Sequence, residues 1–130
     1  MSTIGSDREL RLAASALPPA GEIRMVELGR HRIGLFRVGD EVHALADRCP
    51  HRGAPLCSAG DVVTGIERRP DGRLELGPAG ALVRCPWHKW DFDIASGECV
   101  VEPRLRVRRY PVRHDGDDVV VSLDGGLDRP

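Results

Sequence analysis

The chain has 130 residues, the size of one compact domain, and is long enough to bury a hydrophobic core without disulfide bonds. Its formal net charge of −1 gives no electrostatic basis for binding nucleic acid or a membrane surface. No apolar run approaches the roughly 20 residues that a membrane-spanning helix needs, so we expect neither kind of partner.

The first 21 residues predict either a short helix or a loose tail. Ser6 and Glu9 have the spacing of a helix capping box, and Pro18-Pro19 would end a helix that started there. A disordered terminus is the alternative over residues 1–21. The segment lacks the basic start and continuous apolar centre of a signal peptide, so we expect a cytoplasmic protein with reduced thiols.

From residue 22 onward, short alternating runs are separated by polar turns that contain glycine. This pattern is typical of antiparallel β-hairpins and meanders, and no segment predicts a long helix. We therefore expect one all-β domain over residues 22–123 and a polar tail over 124–130. The predicted strands cover residues 23–28, 32–38, 41–46, 62–67, 73–76, 81–84, 90–94, 105–112 and 119–123.

Two loops between these strands contain cysteine and histidine at the spacing of metal ligands. The first is Cys49-Pro50-His51 and the second is Cys85-Pro86-Trp87-His88, with 33 residues, 52–84, between them. Two thiolates and two imidazoles suit a tetrahedral zinc ion. They equally suit a diiron cluster with the cysteines on one iron and the histidines on the other. The spacing alone does not decide between these metals.

The longer segments around both loops resemble the paired cluster-binding loops of Rieske iron–sulfur proteins. The similarity runs through residues 48–56 and 85–93, continues through 94–98 and Tyr110-Pro111-Val112, and covers residues 22–123. It implies a Rieske-type antiparallel β-sandwich with two hairpin loops forming a cluster-binding subdomain at one tip. It also implies one [2Fe–2S] cluster, and the hairpin within residues 58–84 is expected to be an insertion between the ligand loops.

The resemblance assigns a role to each of the four candidate ligands. Cys49 and Cys85 would bind the inner iron, and His51 and His88 would bind the outer iron near solvent. Neutral imidazoles in place of two thiolates remove two negative charges, so the site accepts an electron more easily than an all-cysteine cluster. Rieske potentials span roughly −150 to +300 mV.

The residues around the ligands predict a potential near the bottom of that range. High-potential Rieske proteins of respiratory complexes have an extra cysteine in each loop and direct serine and tyrosine hydroxyls at the cluster. The corresponding positions here are occupied by Trp87, Trp90 and Phe92. With fewer hydrogen bonds to the sulfurs, the reduced, more negative state is less stable, and the potential is therefore lower.

The family implies an electron carrier and not an enzyme acting alone. The expected role is a ferredoxin that passes one electron from a flavin-dependent reductase to a terminal oxygenase or similar acceptor. An oxygenase needs a further domain with a mononuclear iron, for which 130 residues leave no room. One alternative is the small subunit of an assimilatory nitrite reductase, which Lys89 favours. A zinc-stabilised interaction domain is the alternative from another class.

Several residues outside the ligand set have simpler expected roles. Cys57 and Cys99 are expected to be buried thiols, and Trp87 and Trp90 to pack around the loops and exclude water from the sulfurs. Lys89 either tunes the potential, guides docking or is an ordinary surface residue. A basic run is expected to be a solvated face, with a docking patch as the alternative; it consists of Arg104, Arg106, Arg108, Arg109 and Arg113. Three further histidines are not expected to be ligands: His31, His43 and His114.

Overall fold

The computed structural model describes the backbone of residues 2–6 and 8–123, and the side chains of residues 8–123. It confirms an all-β protein with antiparallel strands, whose one helical element is a 3-10 turn at Ala14–Ala16 within the described residues. The predicted tail over 124–130 lies outside the described residues. The strands are β1 Ser2–Ser6, β2 Glu9–Ala13, β3 Ile23–Leu28, β4 His31–Val38, β5 Glu41–Ala46, β6 Asp61–Val63, β7 Ile66–Arg68, β8 Leu74–Leu76, β9 Leu82–Arg84, β10 Asp91–Asp93, β11 Arg109–Tyr110, β12 Val112–Asp115 and β13 Asp118–Ser122.

The strands form two four-stranded sheets, a three-stranded sheet and a separate hairpin. The first sheet has the order β1-β2-β13-β12, and the second has the order β11-β5-β4-β3. The third sheet, β10-β9-β6, contains the strands that flank the second ligand loop. The β7-β8 pair is the hairpin expected within residues 58–84, and it extends from β6 and β9 at their end farther from that loop.

The second sheet lies between two hydrophobic cores. Leu35 packs in a core shared with the first sheet, whereas Phe36 packs in a core shared with the third. On the neighbouring strand, Ala44 packs in the core shared with the first sheet, and Leu45 packs in the core shared with the third. Because successive side chains of a strand point to opposite faces, a strand buried on both faces needs a continuous apolar run. The run from residue 33 to residue 36 is buried throughout for this reason.

The expectation of a helix or loose tail over residues 1–21 is wrong for the described part of that segment. Residues Glu9–Ala13 form a strand that pairs with β13 on one side and with β1 on the other. Leu10 and Leu12 are buried and alternate with more exposed neighbours, which is the period of a strand and not of a helix. Pairing with an apolar partner strand distant in sequence overrides the local capping signal.

The expected strand over residues 105–112 is also shorter than predicted. Only Arg109–Tyr110 pairs with β5, and the chain then crosses at Pro111 into β12, which pairs with β13. The four residues before Arg109 belong to no strand. Arg106 forms an isolated β-bridge with Glu98, and the backbone N–H of Val107 donates to the Gly97 carbonyl at 2.9 Å. The segment therefore connects two sheets instead of extending one hairpin.

Candidate metal centre

The first ligand loop is closed by two backbone hydrogen bonds. The N–H of Cys49 donates to the carbonyl of Ala54 at 2.8 Å, and the N–H of Gly53 donates to the carbonyl of Cys49 at 2.7 Å. Gly53 has a φ of +75°, in the left-handed region that favours glycine. The loop is thus a single tight turn that starts and ends beside the cysteine.

The second ligand loop repeats this backbone pattern. The N–H of Cys85 donates to the carbonyl of Trp90 at 2.8 Å, and the N–H of Lys89 donates to the carbonyl of Cys85 at 3.0 Å. Lys89 has a φ of +58° and is the one non-glycine residue at positive φ among the described residues. That conformation costs a residue with a side chain roughly 1–2 kcal/mol.

The two cysteines of these loops meet beneath the tip. Cys49 and Cys85 are both fully buried free thiols in the same hydrophobic core, and Cys85 is near enough to act on the Cys49 thiol. Burial raises the pKa of the Cys49 thiol, and the neighbouring Cys85 thiol raises it further. The backbone N–H groups of His51 and Arg52 lower the pKa of this thiol and so oppose the shift. Such donors favour an anionic sulfur, the form that binds a metal.

The two histidines of the loops are in contact above the cysteines. The ring centroids of His51 and His88 lie 4.6 Å apart with the ring planes at 88°. His51 is half-buried and its ring also stacks on Trp90, at 4.2 Å between centroids and 27° between planes. His88 is exposed. The His51 imidazole therefore lies against His88 and Trp90, and the His88 imidazole faces solvent.

The donor set fits a binuclear iron centre. The Nδ1 atom of His51 is buried and has no hydrogen-bond partner, which is costly for a polar atom unless another group binds it. Over the described residues, no group of three or more acidic, cysteine or histidine side chains is arranged to hold one metal ion. A Rieske core takes two protein ligands on each iron. Two adjacent thiols and two adjacent imidazoles supply that number.

Of the two tryptophans expected to pack around the loops, Trp90 does so and Trp87 does not. Trp90 packs over His51, as expected of a residue that limits solvent access. Trp87 is 59% exposed, so the expectation that it shields the sulfurs is wrong. It occupies the position directly before His88, where the tight turn directs successive side chains outward.

The other two cysteines are buried thiols, as expected. Cys57 is 2% exposed, and its Sγ approaches the carbonyls of Leu45 and Ala46 at 3.7 and 3.4 Å. Burial raises the pKa of Cys57 well above its ordinary value, with the nearby charge of Asp47 adding to the shift. Cys99 is fully buried in the core beneath the loops. Both are free thiols.

The three remaining histidines lie outside the ligand loops. His31 pairs through Nδ1 with the hydroxyl of Tyr110 at 3.1 Å. His43 lies on β5, with Nε2 3.3 Å from a carboxylate oxygen of Glu41. His114 is exposed on β12.

The basic run near the C-terminus is largely engaged within the chain. Three of its arginines have carboxylate partners, one donates to a backbone carbonyl, and one lies over an aromatic ring. The contacts are Arg104–Glu102 at 3.0 Å, Arg106–Glu98 at 3.8 Å, Arg113–Glu9 at 2.8 Å, Arg109 to the Ala95 carbonyl at 2.7 Å, and Arg108 over Tyr110 at 4.6 Å.

One residue that positions the first loop escaped the sequence analysis. The carboxylate of Asp47, which is 2% exposed, accepts hydrogen bonds from the backbone N–H groups of Cys57 and Ser58 at 2.8 and 2.9 Å. It also accepts one from the Ser58 hydroxyl at 2.7 Å. These bonds tie the chain after the first loop to the residue before it. An aspartate two residues before a candidate ligand is the sequence signal, but its partners are ten and eleven residues away.

The comparison with protein families agrees with this geometry. The model of the Rieske [2Fe–2S] domain matches residues 10–111. The chain belongs to this family, and its cofactor is a [2Fe–2S] cluster. Over the part of the chain that the structure describes, no helix has the length and apolar character to cross a membrane.

Curated relatives that match the chain include an apoptosis-inducing factor and a dioxygenase ferredoxin subunit. The chain is 36% identical over 102 residues to human apoptosis-inducing factor 3, covering 78% of this chain and 14% of that protein. The chain thus spans a small part of the first curated relatives that it matches. It is 32% identical over 92 residues to the 3-phenylpropionate/cinnamic acid dioxygenase ferredoxin subunit of Escherichia coli (strain K12), covering 70% of this chain and 72% of that one.

Solved structures show the same fold in two settings. A chain of the complex of reduced oxygenase and oxidized ferredoxin in carbazole 1,9a-dioxygenase matches with a TM-score of 0.69 and 26% identity, over 95% of this chain and 100% of that one. A chain assigned as the NADH-dependent nitrite reductase small subunit of Mycobacterium tuberculosis matches with a TM-score of 0.61 and 28% identity. That match covers 88% of this chain and 95% of the other.

Proposed function

We propose that the chain is a one-electron carrier whose [2Fe–2S] cluster is bound by Cys49, Cys85, His51 and His88. The observation that supports this most strongly is the convergence of the four side chains at one tip. Two fully buried thiols lie together, and two imidazoles lie in contact above them. The cysteines would bind the inner iron and the histidines the outer iron.

Each part of the tip has a physical role in this proposal. When bound, the cluster supplies one-electron chemistry without a bond being made or broken in the protein. The core keeps water from Cys49 and Cys85, and N–H groups of His51 and Arg52 stabilise negative charge on one sulfur. Exposed His88 would hold the outer iron at the surface, where a redox partner could approach.

We propose a potential in the lower part of the Rieske range. The two positions where high-potential relatives have hydroxyl groups are Trp90, which stacks on His51, and Phe92, which is fully buried. Neither side chain donates a hydrogen bond to a cluster sulfur through a hydroxyl. Weaker stabilisation of the reduced state lowers the potential.

The proposed role is the ferredoxin component of an oxygenase system, located in the cytoplasm. An E. coli relative of similar length is a dioxygenase ferredoxin subunit, and a matched structure contains a ferredoxin together with its oxygenase. By analogy, a flavin-dependent reductase would supply the electron and a terminal oxygenase would accept it. The carrier would not catalyse substrate oxidation by itself.

The small subunit of a nitrite reductase is the second candidate. The structural match to the chain assigned to that role supports it, at 28% identity and nearly full coverage. Lys89 also supports it, because many Rieske loops have glycine at this position, and lysine is more typical of the nitrite reductase subunit.

A redox titration of the purified protein tests the carrier function. We expect two irons and two labile sulfides per chain, reversible uptake of one electron, and a midpoint potential below zero. A midpoint well above zero would contradict the low-potential part of the proposal. A colourless protein that contains one zinc ion and takes up no electron would overturn the function and leave the zinc-stabilised domain.

Deletion of the gene in its host separates the two physiological roles. Loss of growth on an aromatic carbon source, with normal growth on nitrite as nitrogen source, is expected for an oxygenase ferredoxin. The reverse phenotype would favour the nitrite reductase subunit.

A further inference from the structure

Three cations on the ligand loops, which we call the collar, have no carboxylate partner among the described residues. They are Arg48, Arg52 and Lys89, and all three are exposed. Many other arginines of the described chain do have such a partner. Their pairs include Arg11–Asp118 at 3.1 Å, Arg69–Glu75 at 3.3 Å, Arg73–Asp71 at 2.8 Å and Arg84–Asp91 at 2.7 Å. In a chain with a net charge of −1, unbalanced positive charge is thus present at the tip.

The collar lies beside the two histidines and includes residues from both ligand loops. Arg52 and Lys89 directly follow His51 and His88 in the sequence. The guanidinium of Arg48 lies over the first loop. Its Cζ is 3.4 Å from the position that a Cβ atom would take on Gly53. All three charges therefore surround the side of the domain from which an electron leaves.

The backbone of Lys89 gives a second, independent reason to assign the collar a function. Lys89 has a φ of +58°, and the corresponding position of the first loop is a glycine at +75°. Glycine adopts this conformation without the steric cost that a side chain adds. Residues held in such conformations cluster at functional sites. What lysine adds over glycine here is an exposed positive charge next to His88.

Exposed apolar side chains lie on the same tip. Trp87 is 59% exposed, and Val100 and Val101 are 54% and 67% exposed. The N–H of Val100 donates to the carbonyl of Asp91 at 2.8 Å, which places both valines beside the end of β10 that follows the second loop. An apolar centre with a charged rim is the composition of a protein–protein interface.

We propose that the collar recognises an acidic surface around the electron-transfer site of the protein redox partner, with Lys89 a specificity-determining residue. This inference rests on the proposed carrier function and adds the charge of the partner. Opposite charges across the contact accelerate the encounter, and salt screens this effect. Three cations in a near-neutral chain give a local attraction for an acidic protein face.

Electron transfer to small acceptors of opposite charge tests the collar without the natural partner. The cluster-loaded protein is reduced with dithionite, freed of excess reductant, and mixed in a stopped-flow device with ferric EDTA, an anion, or with hexaammineruthenium(III), a cation. In each case one electron leaves the reduced cluster and converts the acceptor to its divalent metal state. We expect oxidation by ferric EDTA to slow as salt increases and oxidation by hexaammineruthenium(III) to accelerate.

Charge-neutral variants locate the effect. In the triple variant Arg48→Gln, Arg52→Gln, Lys89→Gln, oxidation by ferric EDTA at low salt should slow roughly tenfold, and its salt dependence should largely vanish. Oxidation by hexaammineruthenium(III) should not slow. Arg68→Gln is the matched control, because Arg68 is exposed and contacts the Gly72 carbonyl on the hairpin farther from the ligand loops. It should leave both rates unchanged.

Polymers test recognition of an acidic protein surface. Poly-L-glutamate should inhibit oxidation of the wild-type protein by ferric EDTA and leave the triple variant unaffected, whereas poly-L-lysine should not inhibit. Lys89→Gly separates charge from backbone conformation, since it should slow the reaction with ferric EDTA while the loop keeps its conformation.

Equal behaviour of the triple variant and Arg68→Gln would overturn the docking proposal. Inhibition by poly-L-lysine but not by poly-L-glutamate would also overturn it. The carrier function has a separate readout, since failure to bind a cluster or to take up an electron would appear before any acceptor is added. A protein that carries electrons at rates independent of acceptor charge would retain the carrier function and lose only the collar.

Discussion

The two ligand loops share one backbone and differ in what their side chains do. Each is closed by a hydrogen bond from the cysteine N–H to a carbonyl five residues on, and each has a left-handed residue four positions after its cysteine. The histidine is two positions after Cys49 but three after Cys85. His51 is half-buried against Trp90, whereas His88 is exposed. The two loops thus share a backbone conformation but differ by one residue in the position of the histidine, and one imidazole is half-buried whereas the other is exposed.

The loops also differ in how they are held at the base. The first is tied by the buried carboxylate of Asp47, which accepts hydrogen bonds from the chain beyond the loop. The second is closed by the ion pair between Arg84 and Asp91, at 2.7 and 3.1 Å, whose side chains are 42% and 22% exposed. A buried acceptor with several donors is costlier to remove than a partly solvated ion pair. The first loop is therefore the more firmly fixed, and the second has three consecutive exposed residues, Trp87, His88 and Lys89.

The largest expected effect is loss of the cluster when either cysteine is removed. Cys49→Ala and Cys85→Ala should each abolish iron and sulfide binding, because each leaves one iron with a single thiolate. Metal and sulfide analysis of the purified variants measures this. Cys57→Ala is the control, since Cys57 is a buried thiol outside the loops, and it should retain the cluster. A full cluster in Cys85→Ala would contradict the equivalence of the two loops.

Removal of either histidine should eliminate the Rieske-type EPR signal of the reduced protein. His51→Ala and His88→Ala each take one nitrogen donor from the outer iron, so both loops should be required despite the different exposure of their imidazoles. His114→Ala removes an exposed histidine of β12 and should leave the spectrum unchanged. Survival of the signal in one of the two loop variants would show that only one loop supplies an imidazole.

Asp47→Ala should destabilise the protein by about 1–3 kcal/mol, because it leaves the backbone N–H groups of Cys57 and Ser58 without their acceptor. Urea unfolding of the cluster-loaded protein measures the change as a lower midpoint. Asp91→Ala removes the ion pair of the second loop and should lower the midpoint less. A larger effect of Asp91→Ala would reverse the order of rigidity inferred for the two loops.

The smallest effects concern the left-handed positions. Lys89→Gly should stabilise the protein by about 1 kcal/mol, and Gly53→Ala should destabilise it by a similar amount, because only a residue with a side chain is strained at positive φ. The opposite signs follow from the same backbone conformation in both loops. Thermal unfolding of the cluster-loaded variants gives both values, and shifts of the same sign would be inconsistent with a shared conformation.

Features of the sequence with local causes were predictable. The β3–β4–β5 meander followed from alternating side chains and from glycines at the turns, and Gly29 and Gly39 have φ values of +62° and +60° there. The four candidate ligands are a prediction from two short motifs and their flanks. In the structure the two histidines are in contact and both cysteines are buried.

Features with non-local causes were not predictable. Glu9–Ala13 is a strand because β13 pairs with it from the other end of the chain, and no local signal encodes that pairing. The exposure of Trp87, and the lack of a carboxylate partner for Lys89 among the described residues, depend on how the two loops face solvent. Neither could be inferred before the loops were placed in space.

The most direct test of the central claim is electron–nuclear double resonance on the dithionite-reduced protein with ¹⁵N-labelled histidine. We expect couplings from two imidazole nitrogens in the wild-type protein. Replacement of either His51 or His88 by alanine should eliminate this pair of couplings. A spectrum without coupled histidine nitrogen, or one that neither replacement alters, would contradict a cluster held by both loops.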